Sequence, residues 1–442
     1  MRKTIFKKLE VQGLIANYNR LRKNLPPKLP ERVFIWDETL REGVQTPNVF
    51  LTYVEKVKLA KLLDEVGISI ITVGFPALSE EEKNAVKRIA NEGFQQASIA
   101  ASARMTKTDI DACLDCGIKE IIIFTPFNGL NLQYKLKTSR EQVLKNTVEC
   151  VEYAKKHGAI VDFVLEDASR TPLQDILQIF ETAVKAGADR LVIADTVGFL
   201  RPLSTRYLVS HVRDGLQQVA GKNVTLSVHC HNDFGLATAN TLAAVEEGVA
   251  YVHTCIAGFG ERAGVAPLEE VVAGLEILYN IDTGVDVKKL FRLAQQAEKS
   301  FALPIQFHKP IVGENAFSYE VDEHVEGMLA HPLIYEPFPP EMIEREAQFY
   351  ISRSGGKQLI ERRLEAAGIK ATTWQIEEIV RRIKGLQESV DKGGTQMTFY
   401  QIKKLMKELR RGLTEEDFWR IVEQITRQKP KIQQPLLEAK EP

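Results

Sequence analysis

The chain has little of what betrays many proteins at first sight. It holds only five cysteines in 442 residues, Cys113, Cys116, Cys150, Cys230 and Cys255. That is too few for a disulfide framework at this length. Cys113 and Cys116 form a CxxC in "DACLDCG", but no second ligand pair and no thioredoxin-like setting accompanies them, so they read as a helix end before Gly117. No charge sign dominates: 58 basic and 59 acidic residues leave a net charge of −1. Without a basic arm or stripe there is no case for a nucleic-acid partner. No window offers ~18 uninterrupted apolar residues, so no membrane span is expected. The opening "MRKTIFKKLE" is basic but has no apolar stretch or small-residue cleavage site of a signal peptide. A soluble, cytoplasmic protein is expected. The 44% hydrophobic and 26% charged residues suffice for a packed core.

What is present is a rhythm. At roughly 100–200 residues per domain, the length allows two to three domains, or one large barrel with appendages. Residues 1–30 read as an N-terminal arm with a short helix, closed by "NLPPKLPE". From residue 33, short β-branched runs alternate with amphipathic stretches. Strands are predicted at 33–37, 69–74, 97–102, 120–125, 160–165, 190–195, 225–229 and 251–256. Helices are predicted at 53–66, 79–92, 107–116, 139–157, 173–187, 203–219, 236–248 and 267–279. Strict alternation argues for parallel strands joined by helical crossovers. Eight units over some ~250 residues fit a closed (β/α)8 TIM barrel better than an open sheet. Gly67, Gly117, Gly158, Gly187 and Gly248 sit where helix C-caps want a left-handed residue. The predicted plan is an arm (1–30), a catalytic barrel (31–282), a linker and subdomain (283–356) and a mainly helical C-terminal subdomain (357–442).

Active sites of such barrels lie at the C-terminal ends of the strands, and that is where the polar residues gather. Strand 1 ends in "WDETLREG", with Asp37 and Arg41. Strand 3 is followed by Arg104. Strand 5 runs into "LEDASR", with Glu166, Asp167 and Arg170. Strand 6 ends in Asp195 and Thr196, and strand 7 in "HCHND". Strand 8 leads to "GFGERAG". His229 and His231, two apart in a strand, share a face, and Cys230 between them points away. Two imidazoles with the Asp37 carboxylate would suit a divalent Lewis acid such as Mg²⁺, Mn²⁺, Co²⁺ or Zn²⁺. Two unrelated histidines hydrogen-bonded in a polar loop are the plainer alternative.

"DETLREGVQ" (37–45), with Lys56 beyond it, and "LSVHCHNDFGLATAN" (226–240) resemble the two signatures of the isopropylmalate synthase and homocitrate synthase family. "LEDASRT", "DTVGFLRP", "GFGERAGVAPLEEV" and "VGENAFSYEVDEHVEGML" are similar to further blocks of it. The resemblance spans about residues 30–340 and extends more loosely into the tail. It implies a metal-dependent (β/α)8 enzyme that condenses acetyl-CoA with a 2-oxo acid and hydrolyses the thioester. It implies metal ligation by Asp37, His229 and His231, and Arg41 over the reacting ketone. Gln45 and Thr196 would hold the substrate carboxylate, and Arg104 is counted with the substrate-binding residues. His324 and Tyr335, from a C-terminal region swapped onto a partner protomer, would serve proton transfer, with Glu166 orienting them. A homodimer is therefore implied.

The chain also departs from the pattern. Val265 stands where some members place an asparagine near the metal. Asp162 occupies the position at which homocitrate-type enzymes carry an arginine for a distal carboxylate. Asn128 and Asn131 replace Ser and His of many members, and "ISRSGGKQ" (351–358) replaces a "KHSG"-like stretch. The charged helical tail resembles that of homocitrate-type synthases, so no leucine-binding regulatory domain is expected. Which 2-oxo acid is used stays open among 2-oxoisovalerate, 2-oxoglutarate and oxaloacetate. The rival reading is an HMG-CoA lyase-like carbon–carbon lyase. Such lyases carry a cysteine on the loop after strand 8, which this chain lacks beyond Cys255.

Overall fold

A computed structural model describes residues 9, 10, 12–220, 224–351, 356–390, 392–409 and 415–428. Eight parallel strands close into a barrel in chain order: β1 Phe34–Asp37, β2 Ile70–Thr72, β3 Ser98–Arg104, β4 Glu120–Pro126, β5 Ile160–Glu166, β6 Arg190–Asp195, β7 Thr225–Cys230 and β8 Tyr251–Thr254. β8 pairs back onto β1, with Ile35 beside Val252 and Asp37 beside Thr254. The helices between them are α1 Tyr53–Val66, α2 Glu80–Ala90, α3 Lys107–Asp115, α4 Arg140–Lys156, α5 Leu173–Lys185, α6 Pro202–Ala220 and α7 Ala237–Glu246. α8, Leu268–Ala273, continues as a π-helical turn to Tyr279. The five predicted capping glycines all have positive φ, from 78° to 107°.

Strand alternation sorts the side chains into two shells. Ile35, Val161, Phe163, Leu165 and Leu191 face the helices and join the main core. Trp36, Ile70, Ala100 and Ile122 fill the barrel interior, with Val164 and Tyr251 against them. The N-terminal end of the barrel is closed by charge. Arg190 sets its Nε 2.6 Å from Asp162 Oδ1 and also pairs with Glu120. Its guanidinium lies 5.5 Å from the Trp36 ring and 5.1 Å from that of Tyr251. Asp162 is wholly buried; burial pushes its carboxyl up, and Arg190 opposes that.

Beyond the barrel, α9 (Leu290–Phe301) packs on α1. Its buried stripe of Leu290, Leu293, Ala294, Ala297 and Phe301 has helical spacing. α10 (Asp322–Ala330) follows, then α11 (Lys357–Ala366) and α12 (Thr373–Glu388). These belong to the first of two compact units, which ends at Ser389, whereas the sequence placed a boundary near 357. The second unit begins at Val390 and holds α13 (Lys392–Leu409) and α14 (Glu415–Thr426), helical as expected of the tail. Residues 352–355 of the "ISRSGGKQ" stretch lie outside the described residues. Among the described residues no helix is long and apolar enough to cross a membrane.

Candidate active site

The loop after β1 is a tight turn wound on one carbonyl. The backbone N–H groups of Arg41, Glu42 and Gly43 all donate to Glu38 O, at 3.0, 2.6 and 3.1 Å. This coil swings Arg41 and Glu42 over the barrel mouth. It is tied to the loop after β8: Thr39 Oγ1 accepts from Ile256 N–H at 2.9 Å, and Thr46 Oγ1 accepts from Gly260 N–H at 2.9 Å. Within that second loop, Gly264 (φ 83°) passes so close to Gly258 that a Cβ would lie 1.9 Å from its carbonyl oxygen. No side chain fits there.

A cavity of about 250 Å³ opens at this end of the barrel. Arg41, Gln45, Glu166, Thr196, His229 and His231 line it, as the sequence grouped them, together with Glu38, Glu42, Lys135, His253 and Arg262. His229 and His231 share a face, with ring centroids 5.0 Å apart, and Cys230 points into the outer core.

The carboxylate that joins the two histidines is Glu42. One ligating atom each of Glu42, His229 and His231 lies within 4.8 Å of the others, and all three residues are buried. His231 Nε2 is 3.9 Å from Glu42 Oε1. Metal bonds of about 2.0–2.2 Å put donor pairs roughly 3–4 Å apart, so the set fits a divalent ion with small adjustment. Burial, and then the neighbouring His231, hold the His229 imidazole well below the usual range; burial also lowers that of His231. Both rings therefore keep a lone pair free at neutral pH, and His231 Nδ1 has no hydrogen-bond partner.

Asp37, expected as the third ligand, sits on the other side of β1. Trp36 and Glu38 face inward, so by alternation Asp37 shares the outer face with Ile35. Its carboxylate accepts from Thr39 N–H at 2.9 Å and from Thr39 Oγ1–H at 3.0 Å. Burial pushes its pKa up to about 8. It braces the turn rather than entering the mouth. Arg104 is also absent from the cavity wall: its Nε donates to Asp109 Oδ2 at 2.7 Å, on an exposed edge. His324 and Tyr335 pack ring on ring, centroids 4.4 Å apart, but outside the cavity of their own chain.

Glu38, Glu42 and Lys135 are among the lining residues that the sequence reading did not name as site members. Glu42 was legible, being the next residue after Arg41 on the same turn. Glu38 accepts from Thr72 Oγ1 at 2.7 Å, and Thr72 in turn accepts from Trp36 Nε1 at 2.8 Å. Burial raises Glu38 to about 7. Lys135, in the π-helical turn after β4, pairs with Glu166. No local pattern announces that long-range pair.

Residues 32–296 match the HMGL-like family model, and residues 311–391 match the homocitrate synthase post-HMGL domain-like model. The chain is 40% identical to the 2-isopropylmalate synthase of Methanocaldococcus jannaschii over 89% of its own length and 74% of the relative's. It is 42% identical to the homocitrate synthase AksA of Methanothermobacter thermautotrophicus, covering 82% and 90% of the two chains. The chain belongs to the isopropylmalate and homocitrate synthase family. As a synthase of this family it is an acyltransferase that condenses acetyl-CoA with a 2-oxo acid, and the family depends on a divalent metal. Hydroxymethylglutaryl-CoA lyase from Pseudomonas aeruginosa superposes with a TM-score of 0.54 at 23% identity, over 64% of this chain and 96% of that one. That likeness shows the shared barrel.

Proposed function

We propose that Glu42, His229 and His231 hold the divalent ion and that the 2-oxo acid reacts between them and Arg41. The observation that carries this is the convergence of one carboxylate and two neutral imidazoles on a buried point of the mouth. When bound, the metal supplies Lewis acidity to the ketone and an anchor for the adjoining carboxylate.

The chain's own groups do the rest. Arg41 lies 2.5 Å from Glu42 and 3.7 Å from Glu38, and its buried Nε has no partner. It can therefore donate to the alkoxide that forms as the ketone carbon is attacked. Gln45 and Thr196 offer uncharged donors for the substrate carboxylate; the Thr196 hydroxyl oxygen already accepts from Asp167 N–H at 2.8 Å, which aims its proton elsewhere. Glu166, held by Lys135, stands at the rim where the acetyl group must lose a proton. His324 and Tyr335 are assigned to the same proton transfer across a homodimer, each pair serving the neighbouring mouth. Their contact would let them act as one unit: the rings meet tilted at 43°, and Gly327 lies under Tyr335, where a Cβ would come 2.7 Å from the ring.

The test is release of free CoA from acetyl-CoA by the full-length protein. Release should require Mg²⁺ or Mn²⁺, stop with chelator and return on adding metal. Acetyl-CoA appearing from a hydroxyacyl-CoA, with no release from any 2-oxo acid, would move the activity to carbon–carbon cleavage. A sedimenting monomer with full activity would remove the shared site.

A further inference from the structure

The wall of the cavity opposite Glu42 is apolar. Phe75, Ile122, Phe124, Val164 and Ala194 form it, with Ser102 as the one hydroxyl. Phe75 and Phe124 meet edge to face at 5.8 Å, which narrows the space between them. Every cation at the cavity already has an acid. Arg41 is on Glu42, Lys135 on Glu166, and Arg262 is bidentate on Asp233 at 2.8 and 3.0 Å. Beneath Ile122 and Val164 the interior is closed by Trp36, Ile70 and Ala100. The cation deeper down, Arg190, is shared by the two buried carboxylates of Asp162 and Glu120.

A substrate's second carboxylate, placed against this wall, would be stripped of water with no counter-charge to meet it. Buried charge without a partner is strongly disfavoured. A short hydrocarbon branch would instead cover Ile122, Phe124 and Val164 and gain from burial. On the reading of the site given above, we infer that the acceptor is a 2-oxo monocarboxylic acid with a short aliphatic side chain, and that 2-oxo diacids are turned away. Val164 is the residue that decides: it stands two positions above Asp162 on the inward face of β5, between the paired floor and the mouth.

The experiment compares kcat/KM for CoA release with 2-oxobutyrate and 2-oxoisovalerate against oxaloacetate and 2-oxoglutarate. The better aliphatic acid should exceed both diacids by at least ~10²-fold, since an unpaired buried polar group discriminates strongly. A diacid matching or surpassing it overturns the inference. In Val164→Arg the ratio should shift toward the diacids by ~10-fold or more; an unchanged ratio in a folded variant counts against it. Calorimetric binding of the same four acids to the metal-loaded wild-type protein, without acetyl-CoA, keeps the question separate from turnover. Tighter binding of the aliphatic acids supports the assignment even if no CoA is released, an outcome that would sink the condensation reading alone. Tighter binding of a diacid defeats the pocket assignment whatever the reaction.

Discussion

The two ends of the barrel interior both hold buried charge, and they treat it in opposite ways. At the N-terminal end the charge of Arg190 is matched by the carboxylates of Asp162 and Glu120, and its guanidinium lies against the rings of Trp36 and Tyr251. At the C-terminal end polar atoms are left without partners: Arg41 Nε, His231 Nδ1 and His253 Nε2. A cluster whose charges match has no call for a further ligand. An under-bonded one does, and it is costly unless a ligand completes it. The charge count alone does not separate a plug from a site; the unused donors and acceptors do.

The contrast can be broken at either end. The largest effect belongs to the mouth. Glu42→Gln should cut metal-dependent CoA release by more than the ~10–100-fold typical of losing a group behind a ligand. It should also weaken metal binding in a titration. Asp37→Asn should leave metal binding intact, and the reverse pattern would return the ligand role to Asp37. At the plug, Arg190→Ala leaves two carboxylates unpaired in the interior and should cost about 3–5 kcal/mol in denaturant unfolding. Activity per folded molecule should barely change; a selective loss of activity there would erase the distinction between the ends. The smallest effect is a pH slope in metal-free protein. Asp37 has a folded value of about 8 against an ordinary 3.8, so the folded chain keeps a proton that the unfolded chain has lost. Its contribution is present below about pH 4 and fades as pH rises to about 8. Thermal unfolding after chelation should show that decline, and Asp37→Asn should flatten it by about 1–3 kcal/mol.

Much of this was legible. The alternation of β-branched runs with amphipathic helices located all eight strands, because each strand of a parallel barrel is buried on both faces. The HxH spacing placed His229 and His231 on one face for the same geometric reason. The carboxylate went astray on parity: Trp36 is too large and apolar to leave the interior, and that forces Asp37 outward. α9 carries an apolar stripe at helical spacing, but it lies beyond the eight strand–helix units whose repetition makes the other helices legible. Arg104 ends β3, a position that suggests the mouth, but Asp109, five residues on, captures it. The Lys135–Glu166 pair joins elements 31 residues apart and leaves no trace in local spacing.

The hydrogen bonds between the loops after β1 and β8 span 214 and 217 residues of chain. They sit at the seam where the barrel closes, and the proposed ligands straddle it, with Glu42 on one side and His229 and His231 on the other. A partial barrel has no site. During synthesis the chain cannot assemble it until the last strand has emerged and found the first, the strand pairing of the barrel with the largest sequence separation. An ion held there is bound only by the closed state, so its affinity adds to the stability of closure. At the proposed site, the metal that serves the chemistry would also be the clasp of the fold.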